Sequence, residues 1–368
     1  MITALELENF KCFESLHLAF GGLTLLTGFN AGGKSSATQP LLLLAQGLRS
    51  GTSPSVFPLN GPLVRLGTVG DVLPSYADPA SGKGQIAFRV ATATSEAHWA
   101  FVARPGQRYL TVADSDRGLI ESHARVLAQL AKLAYISAVR EGAADAFPMP
   151  DEGVSVPGNP GTDGRFAPYH YDQSVDNEVS ERRRHPREPA TSLRKQLDAW
   201  LGTLFPGAQG NVQSLPQVSM VGLQFRLSEI GNWRRPANVG YGLTYAFPIL
   251  VALLLAEDGQ LVIIDSPEAH LHPFAQSQMG RILAFFAAAG VQIVVETHSD
   301  HLLNGVRLAV RDHHLPNSAL AIHFFTRASR EGHGVISPTV DVAGRIDEWP
   351  EGFFDQSERD LAELAGWT

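Results

Sequence analysis

Apolar residues recur at every second position in some stretches and every third or fourth in others, and the switch between the two rhythms marks the elements. Residues 2–8 and 16–20 alternate and predict two strands joined at Asn9-Phe10-Lys11. Leu23, Leu25 and Leu26 predict a third, buried strand, followed after Ser36 by a helix that buries Leu41–Leu44. Pro40 lies in that helix and marks either a kink or a late start. Residues 51–84, rich in Gly, Pro and Ser, read as loop with short elements. Three β-prone runs over 85–113 predict an antiparallel meander, then a helix over about 118–132 and a short strand at Leu133–Ser137. The stretch 141–190 has little hydrophobic period and reads as a mobile loop. Over 191–204, Leu193, Leu197, Trp200, Leu201 and Leu204 share one helix face, and Gly207 follows as a stop signal. Strand-like pieces at 211–229 and an apolar core helix at 245–256 come next. Two largely apolar runs, 261–264 and 291–295 (Val291, Ile293, Val294 and Val295), read as buried strands, each followed by a carboxylate.

Composition narrows the class. The 368 residues suffice for one large domain or a domain carrying an insertion. Net charge is −8, from 29 basic and 37 acidic residues, so no global pull toward nucleic acid is implied. A single cysteine, Cys12, excludes an intrachain disulfide and a four-cysteine zinc site and fits a reducing cytoplasm. MITALELENFKCF carries charge too early for a signal peptide, and Ala246–Ala256 is too short to span a bilayer and contains Pro248. A cytoplasmic protein with no membrane partner is expected.

The first candidate chemistry follows the third strand. Gly28-Phe29-Asn30-Ala31-Gly32-Gly33-Lys34-Ser35 fits the phosphate-loop pattern G-x-x-x-x-G-K-[ST]. Gly28, Gly32 and Gly33 permit backbone angles that turn successive N–H groups onto an anion. Lys34 supplies charge for the terminal phosphates, and Ser35 a hydroxyl for Mg²⁺. The following helix, entered through Ser36, aims its N-terminus at the phosphates.

The second region is LVIIDSPE at 261–268. A buried strand delivering Asp265 at its end is where a phosphate-loop enzyme places a second Mg²⁺ contact, and Glu268 is near enough to polarise an attacking water. The strand 291–295 ends at Glu296-Thr297-His298, where His298 suits a hydrogen bond to the terminal phosphate. Gly240, Gly242 and Thr244 sit at a helix start and suit an anion or a packed turn. His270, His272, His298 and His301 raise a zinc site, against which the nearby carboxylates favour Mg²⁺. The run Arg182–Arg187 reads either as a basic patch or as a solvated loop flanked by Glu181 and Glu188.

Taken in order, GFNAGGKS, the Gly-rich turn, DSPEAHLHP and ETHSD resemble the ABC-type ATPase class that includes RecF, SMC heads and OLD-like ATPases. NFKCF after the first strand is similar to that group's opening. LNGPLVRLG, YISAVREG, NVGYGLTYAFPIL, ETHSDHLLNGVRLAV and WPEGFFDQ resemble one bacterial family of stand-alone ATPases whose C-terminal region is a domain of unknown function. Little of the resemblance lies in 141–230.

The resemblance implies an α/β fold: a phosphate-loop NTPase of ABC type, with a mixed central sheet, an antiparallel β subdomain and a helical and loop insertion. It implies a head split into 1–140 and 231–368 around an insertion at 141–230. Gly28, Asn30, Gly33, Lys34 and Ser35 would bind ATP and Mg²⁺, Asp265 would be the Walker B carboxylate, and His298 the switch histidine. Ala269–His272 would occupy the loop that crosses a dimer interface, and Gly240–Thr244 the signature turn facing the partner's nucleotide. Two heads would sandwich two ATP molecules in a homodimer.

Two positions depart from the class. Ser266 stands where a catalytic Glu usually follows the Walker B Asp, so either Glu268 is the base or hydrolysis is slow and ATP acts as a clamp. Gly240 stands where the signature Ser would be, with Thr244 as a compensating hydroxyl. The expected function is a nucleotide-gated ATPase switch in phage defence or DNA processing, acting on an effector such as a nuclease on a separate chain. A RecF-like clamp that contacts DNA through Arg182–Arg187 and Arg234-Arg235, or a non-hydrolysing assembly module, is the alternative.

Overall fold

Along the first strand, β1 (Ile2–Phe10), Leu5 and Leu7 alternate inward, and Ile2 and Phe10 at its two ends are buried as well. The computed structural model describes residues 1–49, 55–74, 76–77, 85–113, 124–151, 158–327 and 333–366. Met1–Leu133 with Asn317–Thr368 form one unit, and Ala134–Pro316 form a second.

In the first unit, β1 pairs antiparallel with β2 (Phe13–Ala19), Leu7 opposite Leu16. Lys11, with φ 56°, makes the tight turn between them. All of β3 (Leu23–Gly28) up to its terminal glycine is buried, and it feeds α1 (Lys34–Arg49). Pro40 lies well inside α1, so it does not mark the helix start. β4 (Val56–Pro58) and the single-turn α2 (Val69–Val72) follow. The expected meander is β5 (Ile86–Thr92), β6 (Glu96–Val102) and β7 (Tyr109–Val112). It joins the first hairpin in a six-stranded sheet of order β2-β1-β5-β6-β7-β4. Edge-to-face rings of Phe10, Phe88, Phe101 and Phe57, with centroids 5.2–5.6 Å apart, form the core on its inner face. The beginning of the helix expected over 118–132 lies outside the described residues; its described part is α3 (Ala124–Ala131).

In the second unit, β8 (Ala134–Ile136) and β9 (Ala146–Pro148) precede α4 (Ala167–Ser174) and α5 (Leu193–Leu204). α5 buries the apolar face read from the sequence, Leu193, Leu197, Trp200, Leu201 and Leu204. The low-period stretch 141–190 therefore holds a helix, α4, which buries Ala167, Pro168, His170 and Tyr171. β10 (Gln209–Leu215) and β11 (Met220–Arg226) form a hairpin whose second strand also pairs with β9. Then come α6 (Tyr241–Leu255), β12 (Leu261–Asp265), α7 (Pro273–Ala288), β13 (Gln292–Glu296) and α8 (Asp300–Arg311). β12 lies between parallel neighbours, with Ile263 level with Val294 on β13 and Tyr135 on β8. A strand covered on both faces carries no polar alternation, hence the unbroken apolar run Leu261–Ile264.

The chain returns to the first unit with β14 (Leu320–Phe325) and β15 (Val335–Ile336), then α9 (Gln356–Leu364). β14 pairs parallel with β3 and antiparallel with β15, a mixed ladder. Among the described residues, no helix is long and apolar enough to cross a membrane.

Candidate functional site

The sequence-predicted residues fall into two groups, one in each unit. In the first unit, Gly28 closes β3 with φ 122° and Gly33 opens α1 with φ 107°, conformations that side chains disfavour. A Cβ on Gly28 would lie 2.2 Å from Phe325 O, and one on Gly33 would lie 2.4 Å from the Phe13 ring and 3.0 Å from Cys12 Sγ. Both glycines are thus set by close approach as well as by torsion. The loop curls tightly, Gly32 N–H donating to Phe29 O at 3.1 Å. Lys34, only 4% exposed, turns its ammonium into the curl and donates to Gly28 O at 3.0 Å and Phe29 O at 2.9 Å. Asn30 and Ser35 are exposed, Gly32 is buried and Ser36 is half-buried. First-turn amides of a helix point out of its end. A basic amine, glycines without Cβ and an open helix start make a cradle that fits a phosphate chain.

Sequence reasoning missed what stands behind this loop. Phe29 N–H donates to Phe325 O at 3.1 Å, and the Phe29 ring packs on Phe324 at 5.7 Å, with the Arg327 guanidinium 4.5 Å from its centroid. Phe353, wholly buried, packs in turn on Phe324 and Trp349. The His333 ring nitrogen Nδ1 lies 3.2 Å from Gly32 O. The WPEGFF motif therefore supports the phosphate loop from behind. In the sequence the segment stands out only through its family resemblance, as WPEGFFDQ, and nothing in its spacing places it behind the loop.

In the second unit, Asp265 ends β12 and Glu268 follows one turn later. The turn passes through Ser266 at φ 48°, whose N–H donates to Glu296 O at 2.8 Å and whose hydroxyl donates to Asp265 Oδ1 at 2.8 Å. Position 266 is thereby used to hold Asp265, and the second carboxylate arrives by way of Glu268. Its Oε1 accepts the backbone N–H of His298 at 2.8 Å, while Oε2 is buried with no hydrogen-bond partner among the described residues. Burial pushes the Glu268 carboxyl above the usual range, opposed by hydrogen bonds from His298 and Thr297 and by the charge of Arg140. A carboxylate with a raised affinity for protons is suited to general-base work. The His298 side chain is exposed.

Arg140, just after β8 in the YISAVREG stretch, has no role evident from the sequence. It is 4% exposed, and its Nη2 donates to the carbonyls of Asp265 and Ser266, the latter at 3.2 Å. Its guanidinium lies 5.4 Å from the Tyr245 ring centroid. Burial lowers its pKa to about 10, offset by Asp265 and Glu268, so it is charged at neutral pH. Burial and the same Asp265 charge push the Tyr135 phenol up, keeping it neutral.

The remaining predicted residues surround the start of α6. Gly240 caps the helix in an extended conformation with open space around it, and Tyr241 is exposed. A Cβ on Gly242 would come 2.9 Å from His270 O, so this glycine is a packing residue. Thr244 is 3% exposed and its hydroxyl donates back to Tyr241 O at 2.9 Å, bracing the first turn. The His270 ring stacks against Tyr241 and Tyr245, with centroids at 5.4 and 4.6 Å, and His272 Nδ1 caps α7 through Phe274 N–H. In the basic run, Arg183 is buried against Asp258 and Arg184 reaches Glu178 at 3.6 Å; Arg235 pairs with Asp145 at 3.1 Å. Arg182, Arg187 and Arg234 are exposed.

The fold has solved counterparts. The Smc head bound to the C-winged helix domain of ScpA aligns over 93% of this chain and 98% of its own, at 12% identity and a TM-score of 0.51. The SMC head domain from Thermotoga maritima covers 92% and 99% at 12% identity (TM-score 0.41). The Smc head with an extended coiled coil derived from Pyrococcus furiosus covers 99% and 99% at 10% identity (TM-score 0.48). No curated protein matches the chain. The fold and its phosphate loop define an ABC-type ATPase head of the RecF and SMC class. Within that class the chain belongs to the family described as "AAA domain, putative AbiEii toxin, Type IV TA system", whose model matches residues 77–304. Residues 315–364 match a family described as a protein of unknown function, DUF3696. The phosphate loop lies ahead of both matched ranges and rests on its own geometry.

Proposed function

We propose that this protein binds and hydrolyses ATP with Mg²⁺, and that the bound nucleotide joins two copies whose association controls a separate effector in a bacterial defence or DNA-processing system. The single observation that carries hydrolysis, rather than binding alone, is the placement of Glu268. A half-buried carboxylate fixed through one oxygen to His298 N–H keeps its other, buried oxygen for a proton.

In this reading Gly28, Asn30 and Gly32–Ser36 hold the phosphates, with Lys34 turning from its loop carbonyls to the terminal oxygens. Ser35 and Asp265 would each offer an oxygen ligand to Mg²⁺, which when bound would offset charge on the phosphates. The Glu268 carboxylate takes a proton from the attacking water as the water oxygen bonds to the terminal phosphorus and the bond from that phosphorus to the leaving ADP oxygen breaks. His298 contacts the terminal phosphate. Gly240 and Tyr241 present an open helix start to the second copy, with Gly242 and Thr244 shaping it.

A partner on another chain is supported by analogy only: the Smc head is bound to a domain of ScpA. The DNA-clamp alternative has less support, because Arg183, Arg184 and Arg235 are engaged by acids. Phosphate release from wild type, Lys34→Ala and Glu268→Gln tests the proposal. ATP-dependent release by wild type and its loss in both variants supports it; equal inactivity of wild type and Glu268→Gln, with ATP bound by both, removes hydrolysis.

A further inference from the structure

Arg140 carries more hydrogen-bonding capacity than its surroundings use. One nitrogen, Nη2, serves the Asp265 and Ser266 carbonyls. The other two, Nε and Nη1, are buried without a hydrogen-bond partner among the described residues. Buried polar groups are nearly always paired, so orphan donors on a buried cation ask what they are kept for. The same question applies to Glu268 Oε2, also buried and with no hydrogen-bond partner among the described residues. Both belong to the second unit, and each acts on the other's charge.

The chemistry of the two orphans selects their ligand. A metal ion satisfies the carboxylate oxygen and is repelled by the guanidinium. A phosphate oxygen satisfies the guanidinium and is repelled by the ionised carboxylate. A water molecule accepts from N–H and donates to the carboxylate at once. We infer that Arg140 is a positioning residue that, together with Glu268, holds and orients the water consumed in hydrolysis. This rests on the ATPase reading above and adds to it the residue that aims the nucleophile.

The structure gives Arg140 the rigidity the task requires. Its Nη2 bonds pin the carbonyls on either side of the left-handed turn at Ser266, the turn that sets where Glu268 emerges. Tyr245 closes one face of the guanidinium. Tyr245 in turn packs on His270, which packs on exposed Tyr241. The water-holding group is thus continuous with the start of α6, the surface assigned above to the second copy.

The experiment compares Arg140→Ala, Arg140→Lys, Glu268→Gln and the double variant Arg140→Ala/Glu268→Gln in the full chain. Four readouts are taken: phosphate release, affinity for a fluorescent ATP analogue, melting temperature, and rescue by free guanidinium ion. Loss of aim costs about a hundredfold in turnover for Arg140→Ala. The inference expects the analogue to bind as in wild type, guanidinium ion to restore part of the rate, and the double variant to be no slower than Glu268→Gln alone. Arg140→Lys keeps the buried charge but not the planar fork, so it folds and is slow. Wild-type turnover in folded Arg140→Lys, loss of analogue binding in step with rate, or multiplying losses in the double variant would overturn the inference. A wild-type chain that binds the analogue and releases no phosphate would instead remove the ATPase reading, and this inference with it.

Discussion

The backbone N–H of His298 donates to Glu268 Oε1 at 2.8 Å. Two residues that leave the ends of neighbouring parallel strands, β12 and β13, therefore fix each other. The bond ties the carboxylate proposed as base to the residue proposed to sense the terminal phosphate, so a shift in one is transmitted to the other.

Replacing Glu268 by Gln keeps the acceptor for His298 and removes the base. Turnover is expected to fall by about 10²–10⁴-fold while the fluorescent analogue still binds. The same variant has a signature in stability. Burial raises the Glu268 carboxyl above its ordinary 4.5, so the folded state holds this proton to higher pH than the unfolded state does. That favours folding below the ordinary value and is lost as pH rises through the elevated one. Glu268→Gln should melt above wild type near pH 8, and the gap should close toward pH 4.

Lys34→Ala removes an ammonium placed by two loop carbonyls. Loss of its charged hydrogen bonds to phosphate is expected to cost about 2–3 kcal/mol, roughly a hundredfold in analogue affinity by fluorescence titration. An affinity within experimental error of wild type would speak against the loop as the phosphate site.

The C-terminal segment gives a test far from the loop in sequence. Gly352 has φ 82°, and a Cβ there would lie 2.3 Å from Phe29 Cζ. Gly352→Leu adds backbone strain to overpacking, together about 2–4 kcal/mol, and pushes the Phe29 ring that lines the back of the phosphate loop. Lower melting together with weaker analogue binding, at a temperature where the variant is folded, is expected.

Arg183 looks basic in sequence and is structural in the fold, with its side chain 7% exposed against an Asp258 that is 69% exposed. Because the acid is solvated, Arg183→Ala should cost about 1–2 kcal/mol in denaturant unfolding, less than a fully buried pair. It should leave nucleic-acid binding, if any is measured, unchanged in its salt dependence.

Local geometry was legible in the sequence. Gly28, Gly33 and Lys34 act within one turn of chain, so their spacing already states the torsions and the charge. The apolar runs of β12 and β13 were equally plain, because strands buried on both faces leave no alternation. Arg140 was hidden because its partners are 125 and 126 residues away and meet it only through β8, a three-residue strand too short to announce its neighbours. α4 escaped notice because it buries alanine, proline, histidine and tyrosine instead of a leucine stripe. At the turn, the Ser266 hydroxyl holds Asp265 and the Glu268 carboxylate is fixed by His298 N–H, contacts that close only when β12 and β13 lie side by side.

The central claim is that ATP joins two copies of this chain. Light-scattering mass of Glu268→Gln, measured with and without ATP and Mg²⁺, tests it most directly. The account predicts the 39.7 kDa mass of one chain without nucleotide and twice that mass with it, with Lys34→Ala unchanged by ATP. A Glu268→Gln protein that binds the fluorescent analogue yet keeps the same mass with and without ATP would contradict it.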